Sequence, residues 1–265
     1  MNIFEKVEKS DLGISALSLD TKQLSNIKVP EQIRDEIPTL NRMGYMKVDM
    51  DEFCQDFIDY AKKTQDIVLE LGCAYGMIVQ QVLENKGKII ASDLSEDHLS
   101  VLLKNTPKDY MDNLFLYPGA FPNAINLPNE SVGAVLTSRM VHFLTPEEIE
   151  LGLKKIHNWL LPKGKLFFTS VSPYHDVFRE QFLHIYKNRV EEGEKWPGVI
   201  ENQWMINPKH QDYVGQYLNI FDIPQLESLL PEYRFKIEKI KLFDYPNDTE
   251  SRSNRGHIGF VAQKI

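Results

Sequence analysis

A chain of 265 residues at 42% hydrophobic content is long enough for one well-cored α/β domain with a lid, and short for two full domains. Its 30 basic against 38 acidic residues give a formal charge of -8, which repels polyphosphate partners, so nucleic acid is not expected. The two cysteines, Cys54 and Cys73, are too few for a disulfide framework and lack the paired spacing of zinc sites, which predicts a reducing compartment and no metal.

Met1 to Lys6 carries charges where a signal peptide needs an apolar run, and no stretch approaches the ~20 apolar residues of a membrane span. A cytoplasmic protein without membrane contact is expected; its oligomeric state is not legible. Residues 1–47 mix charges with Pro30 and Pro38 and keep no period, so they read as an N-terminal arm or cap with no assigned function. The domain proper is expected over 48–265. It opens with Phe53, Phe57, Ile58 and Ala61 at the spacing of an amphipathic helix.

Ile67 to Leu71 is a short apolar run ended by Gly72, as in a buried parallel strand, and a helix is expected to start near Met77. The alternation repeats. Lys88 to Asp93 reads as a strand, and Ser95-Glu96-Asp97 as a capped helix start with acids at the positive end of the dipole. Leu114 to Tyr117 and Val132 to Ser138 are the third and fourth strands. Thr145-Pro146-Glu147-Glu148 is a capping box with proline at the first helical position, and Lys165 to Val171 is the fifth strand. Strands alternating with helices imply a Rossmann-like, doubly wound, mostly parallel sheet, because parallel neighbours need crossover helices.

Aromatics crowd the stretch after Ser172, so about 173–220 reads as an α-helical lid insertion. Phe178, Phe182 and Ile185 share one helical face, either as a helix docked on the sheet or as a substrate wall. Tyr174, Trp204 and Tyr213 are the wall candidates. The chain closes with a helix near Ile223 to Leu230 and two strand-like runs, Phe235 to Leu242 and His257 to Gln263. An antiparallel terminal β-hairpin on the sheet edge is expected from them.

The chemistry sits in Glu70-Leu71-Gly72-Cys73-Ala74-Tyr75-Gly76, a turn between strand and helix where glycines let the backbone approach a ligand closely. Asp93 ends the second strand, 21 positions after Gly72, the spacing at which an acid reaches the ribose hydroxyls of a nucleoside held at the first turn. A dinucleotide fingerprint starting at Gly72 would want glycine at 74 and 77, where the chain has Ala74 and Met77. That pattern disfavours a pyrophosphate.

Acid-x-Gly-x-x-x-Gly, then Asp93, then Gly119-Ala120-Phe121, then Leu127-Pro128 and the strand into Ser138-Arg139-Met140-Val141-His142, resembles the class I S-adenosylmethionine-dependent methyltransferases over about Asp66 to Val171. The resemblance implies S-adenosylmethionine as cofactor, with the turn from Gly72 through Cys73, Ala74 and Tyr75 to Gly76 cradling its methionine end. It further implies Asp93 on the ribose, Leu94 on the adenine, and Ser138 and Arg139 beside the sulfonium. The sequence departs from the family pattern at Ala74, at Gly133, and at Ala120, where an acid often bonds the adenine amino group. Phe121, Asn123 or Asn126 are the alternatives there. Tyr45 is a weaker candidate at the methionine end.

His142 is the candidate base, since an imidazole titrates near neutral pH; equally, it can pack the loop before Thr145. Arg139 suits a carboxylate, or an ion pair behind the site. Methyl transfer is an in-line displacement on a carbon activated by positive sulfur, so alignment and water exclusion carry most of it and no fixed base is required. The aromatic lid and acidic surface favour a small-molecule O, N or C acceptor, with a protein methyltransferase, a cofactor-binding protein without turnover, or a polyamine synthase as alternatives. No tyrosine is followed four positions later by lysine, against a short-chain dehydrogenase. Clustered acids for a catechol-type metal are also missing at the fourth strand end.

Overall fold

The computed structural model describes residues 3–4, 9–24, 26–248, 251 and 253–265. In chain order the elements are β1 (Ile14–Ser15), β2 (Glu36–Pro38), β3 (Tyr45–Lys47), α1 (Glu52–Lys63), β4 (Val68–Leu71), α2 (Met77–Glu84), β5 (Ile89–Asp93), α3 (Glu96–Asn105), β6 (Leu114–Pro118), β7 (Val132–Ser138), α4 (Pro146–Trp159) and β8 (Leu160–Val171). There follow α5 (Asp176–Arg179), α6 (Leu183–Glu191), β9 (Val199–Ile200), β10 (Leu218–Asn219), α7 (Ile223–Glu232), β11 (Phe235–Phe243) and β12 (His257–Lys264), with short 3₁₀ turns between elements.

Eight strands form one sheet in the order β1-β6-β5-β4-β7-β8-β12-β11. The five from β6 to β8 are parallel, β12 is antiparallel to β8 and β11, and β1 is antiparallel to β6. The doubly wound sheet and its terminal hairpin are thus as read from the pattern. Winding proceeds from β4 outward through β5 and β6, then returns across to β7. This reversal opens a crevice at the carboxyl ends of β4 and β7, where open α/β sheets hold ligands.

Alternate residues of the strands feed two separate cores. Val68, Ile89 and Phe167 pack with Phe57, Val82 and Leu99 of α1, α2 and α3, whereas Leu69, Ile90 and Phe168 pack with Leu153, Ile156 and Leu229 of α4 and α7. Gly133 holds the place where many family members carry an acid, and here a Cβ would lie 2.8 Å from Asp66 Cβ. Asp66, in the turn after α1, and the Tyr60 hydroxyl of α1, which donates to the Gly133 carbonyl at 3.0 Å, leave no room for a side chain there. The expected capping box of α4 is present, with Thr145 and Glu148 bonding each other's backbone.

Part of the 173–220 segment is helical, and the rest is 3₁₀ turns and the short β9–β10 ladder. It has its own apolar cluster of Phe178, Phe182, Tyr186, Ile200, Val214, Leu218 and Ile220. One expectation fails here: Ile185 is exposed and Tyr186 takes the buried position. The helical register does not run through, because α5 stops at Arg179 and α6 restarts at Leu183.

Candidate functional site

At the carboxyl ends of β4, β5 and β7 lies a cavity of about 300 Å³. Its floor is the β4–α2 turn, where Gly72, Ala74 and Gly76 take φ of +73°, +45° and +80°. Left-handed backbone at three positions in five residues folds the turn back on β5. The amides of Gly72 and Cys73 donate to the Ser92 carbonyl at 2.8 and 3.0 Å, that of Gly76 to Cys73 at 2.8 Å, and that of Ala74 to Asp93 Oδ2 at 2.9 Å. Those four donors are consumed inside the protein, which agrees with the sequence argument against a pyrophosphate at this turn.

Asp93 also receives the Ser95 amide at 2.8 Å and His98 Nδ1 at 3.0 Å, both on Oδ1. Beside it Glu70 is buried, and its Oε2 has no hydrogen-bond partner among the described residues. Burial, with the Asp93 charge adding to it, pushes the Glu70 carboxyl up to about 8. Leu94, Gly119, Ala120 and Phe121 line one end of the cavity, with Leu94 largely exposed at its rim. Glu148 is the acid lining that end. Its Oε1 accepts from Asn123 Nδ2 at 3.3 Å, while Asn126 is engaged by Lys155 at 2.7 Å.

Ser138 and Arg139 line the other end, facing a wall that the sequence did not reveal: Lys47, Asp51, Cys54 and Tyr245. Asp51 caps α1 by accepting from the Phe53 and Cys54 amides on Oδ1 at 2.9 and 2.8 Å. Its Oδ2 accepts from the Tyr245 hydroxyl at 2.9 Å and from Cys54 Sγ at 3.2 Å. Burial first, and Asp51 second, hold the Cys54 thiol and Tyr245 phenol protonated, both well above their ordinary pKa values.

Arg139 sits at φ +54°, its amide bonded to the Thr169 carbonyl at 2.9 Å. Its guanidinium lies 3.7 Å from Glu36, and Nε and Nη1 are buried without a hydrogen-bond partner among the described residues. The arm supplies Thr39, Asn41, Met43 and Tyr45 to the same cavity, a contribution that the absence of periodicity in residues 1–47 concealed.

Tyr75 and Gly76 of the sequence motif lie behind the turn and do not line the cavity. Tyr75 packs edge-on against His98 at 5.1 Å and donates its hydroxyl to the Pro38 carbonyl at 2.7 Å; Gly76 faces Leu102. The φ angles on either side of Tyr75 turn its ring away. His142 stands in a second cavity, of about 400 Å³, which shares Tyr45, Lys47, Arg139 and Phe143 with the first. There its Nδ1 is 3.2 Å from Ser170 Oγ, and burial, with Arg139 adding to it, lowers the imidazole to about 3. A ring so held is neutral and a poor proton acceptor at pH 7.

Tyr174, Trp204 and Tyr213 line neither cavity. Tyr174 donates to Asp222 at 3.1 Å under the Arg255 guanidinium, and Trp204 Nε1 donates to the Val214 carbonyl at 2.9 Å. Their polar ends are satisfied within the 173–220 segment and its neighbours, so they frame it. Tyr213 touches the site indirectly, through Tyr45, ring to ring at 5.6 Å, and through its carbonyl, which accepts from the Gly44 amide at 2.7 Å.

The second cavity also carries His175, Asp248 and His257, whose ligating atoms come within 4.8 Å of one another. His175 Nδ1 accepts from the Val177 amide at 3.3 Å, which leaves its proton on Nε2, 3.8 Å from Asp248. His257 Nε2 lies 2.9 Å from the same oxygen, and Lys47 Nζ lies 3.5 Å from it. The Asp248 carboxylate thus takes one hydrogen-bond-length contact from His257, with Lys47 and His175 arranged around the same oxygen at ion-pair distance.

Residues 68–164 match the methyltransferase domain family model. A solved S-adenosylmethionine-dependent methyltransferase from Methanosarcina mazei superposes with a TM-score of 0.59 at 16% identity, covering 82% of this chain and 99% of that one, which establishes the shared fold. Over the matched segment the chain is similar to methyltransferase domains, and its fold is that of solved S-adenosylmethionine-dependent methyltransferases. Among the curated relatives, phosphoethanolamine N-methyltransferase 3 of Arabidopsis thaliana is 30% identical over 103 residues, 38% of this chain and 20% of that one. An uncharacterized methyltransferase of Oceanobacillus iheyensis is 28% identical over 136 residues, 51% of this chain and 60% of its own length. The chain thus spans about a fifth of the plant enzyme it matches. S-adenosylmethionine is the family's cofactor, and the cavity fits it on a local ground: Glu70 offers a buried, unpaired carboxyl oxygen to a ligand that carries positive charge. No helix among the described residues is long and apolar enough to cross a membrane.

Proposed function

We propose that this methyltransferase transfers the methyl group of S-adenosylmethionine to a small polar acceptor held in the second cavity. The observation that carries the reading is the common wall of Tyr45, Lys47, Arg139 and Phe143, which joins a nucleoside-sized cavity to one of acceptor size. The cofactor supplies a methyl carbon already activated by positive sulfur. What falls to the chain is holding, aligning and keeping water out.

In this reading Asp93 takes the ribose hydroxyls through its remaining lone pairs, Leu94 and Phe121 flank the adenine, and Glu148 accepts from the adenine amino group in place of an acid at Ala120. Ser138 and Arg139 face the methionine end with Glu70. The second cavity presents both signs, Arg139, Lys47 and Lys209 against Asp35, Glu36 and Asp248. Such a lining suits a zwitterionic small molecule, and the plant relatives' names make phosphoethanolamine the first acceptor to assay. His142, held neutral, would orient an acceptor by hydrogen bonding.

The test is S-adenosylmethionine with a panel of amine, hydroxyl and carboxylate acceptors, read by mass spectrometry for a product heavier by one methylene. Cofactor binding with no product from small molecules, but methylation of added protein, would replace this reading by a protein methyltransferase. Stabilisation by NADH and not by S-adenosylhomocysteine would overturn it altogether.

A further inference from the structure

We infer that His98 is a positioning residue that ties the N-terminal arm to the carboxylate of Asp93, so that arm closure and cofactor binding reinforce each other. The inference rests on the reading of Asp93 as the ribose ligand. His98 is buried, and each ring nitrogen has one partner. Nε2 lies 3.1 Å from the Leu40 amide, which can only donate, so Nε2 accepts. The proton of the neutral ring is then on Nδ1, 3.0 Å from Asp93 Oδ1, and is donated there. One imidazole in one tautomer thus spans from an arm amide to the acid at the end of β5.

A second fastening lies two residues away. Tyr75, stacked edge-on against His98, donates its hydroxyl to the Pro38 carbonyl at 2.7 Å. Between the two fastenings stands Thr39, and just beyond them Asn41 and Met43, all lining the cofactor cavity. Fastening Pro38 and Leu40 therefore places the arm's part of the cavity wall. Asp93 is in turn oriented by the Ala74 and Ser95 amides and by His98. If the closed arm raises cofactor affinity by some factor, bound cofactor must favour closure by the same factor.

Two substitutions separate the halves of the ring. His98→Asn puts an amide N–H near the place of Nδ1 and keeps the bond to Asp93, whereas His98→Gln puts an oxygen near the place of Nε2 and keeps the acceptor for Leu40. Amide exchange at Leu40 and calorimetric affinity for S-adenosylhomocysteine are measured on the full chain for all three proteins. In the wild type the ligand should slow Leu40 exchange by about tenfold or more, as expected when a local opening is suppressed. In His98→Asn, Leu40 should exchange fast with or without ligand, and affinity should fall by about three- to tenfold, the scale of one buried hydrogen bond. In His98→Gln, Leu40 should stay protected but respond little to ligand. A wild-type Leu40 amide indifferent to bound S-adenosylhomocysteine overturns the coupling without touching the cofactor assignment, and so does full ligand response in His98→Gln. Failure of the wild type to bind S-adenosylhomocysteine removes the cofactor assignment and this inference with it.

Discussion

Glu70 and Asp93 present their side chains to one cavity from the ends of neighbouring parallel strands, and burial together with the Asp93 charge pushes Glu70 up to about 8. The folded protein therefore keeps a proton that the unfolded chain releases near its ordinary value of 4.5. The stability contributed by that proton is fully present below 4.5 and is lost as pH rises toward 8. Melting temperatures between pH 5 and 8 should fall less steeply in Glu70→Gln than in the wild type. An identical slope in both proteins would mean that Glu70 is already ionised in the fold.

The same carboxyl predicts proton release on binding. Near pH 7 the free protein holds Glu70 protonated, and a sulfonium ligand in its cavity favours the ionised form. Titration with S-adenosylmethionine in buffers of different ionisation enthalpy should show net proton release, smaller with S-adenosylhomocysteine, whose sulfur is neutral, and absent in Glu70→Gln. Equal release with both ligands would place the positive sulfur away from Glu70.

Asp93→Ala should weaken S-adenosylhomocysteine binding by ~1.5–3 kcal/mol, the typical loss for charge-assisted hydrogen bonds. The fold should hold but lose stability, because alanine leaves the Ala74 and Ser95 amides and His98 Nδ1 without their acceptor. A stability loss of about 1–3 kcal/mol should accompany the affinity loss, with Asp93→Asn intermediate. Calorimetry and denaturant melts on the two variants check both numbers. Wild-type affinity in Asp93→Ala would end the ribose assignment.

What the sequence made legible was local. Strand and helix periods, the caps at Ser95 and Thr145, and the acid at the end of β5 all depend on residues close in the chain, and they gave the mostly parallel sheet. His98 was hidden because its partner Leu40 is 58 positions away, and Tyr245 because its partner Asp51 is 194 away. No single-sequence pattern reports such pairs. Tyr75 was misplaced for a different reason: membership of the glycine turn says nothing about direction, which the left-handed angles at Ala74 and Gly76 decide.

Gly76 and Gly193 offer a controlled pair of alanine substitutions. Both have nearly the same left-handed φ, +80° and +77°, so a side chain is strained at either. At Gly193 nothing lies within 4 Å of an added Cβ, whereas at Gly76 it would sit 2.3 Å from Leu102 Cδ1. Gly193→Ala should cost about 1 kcal/mol, the backbone penalty alone. Gly76→Ala should cost about 2–4 kcal/mol, the same penalty plus overpacking against α3. Chemical denaturation measures the difference, and equal losses would mean that α3 yields freely at Leu102.

The 173–220 segment should behave as two parts. Phe178, Phe182 and Tyr186 are buried in the segment's own cluster, and Arg189 donates to the carbonyls of Pro197 and Val199 at 3.2 and 2.6 Å, so the helical part is built to stay closed. Residues 203–217 are mostly 3₁₀ turn, and they reach the shared cavity wall through Tyr213 against Tyr45. Amides in α6 should therefore exchange almost as slowly as those of β8, while amides of 203–217 should exchange faster and slow when acceptor and S-adenosylhomocysteine bind together. Tyr213→Ala removes the ring supporting Tyr45 and should raise acceptor KM several-fold with cofactor affinity unchanged. Trp204→Ala breaks the bond to Val214 and should lower stability by about 1–3 kcal/mol with little change in acceptor KM, because its indole faces inward. Uniform slow exchange across 173–220, together with wild-type kinetics in Tyr213→Ala, would make the whole segment a static buttress and leave acceptor selection to Tyr45, Phe143 and Arg139.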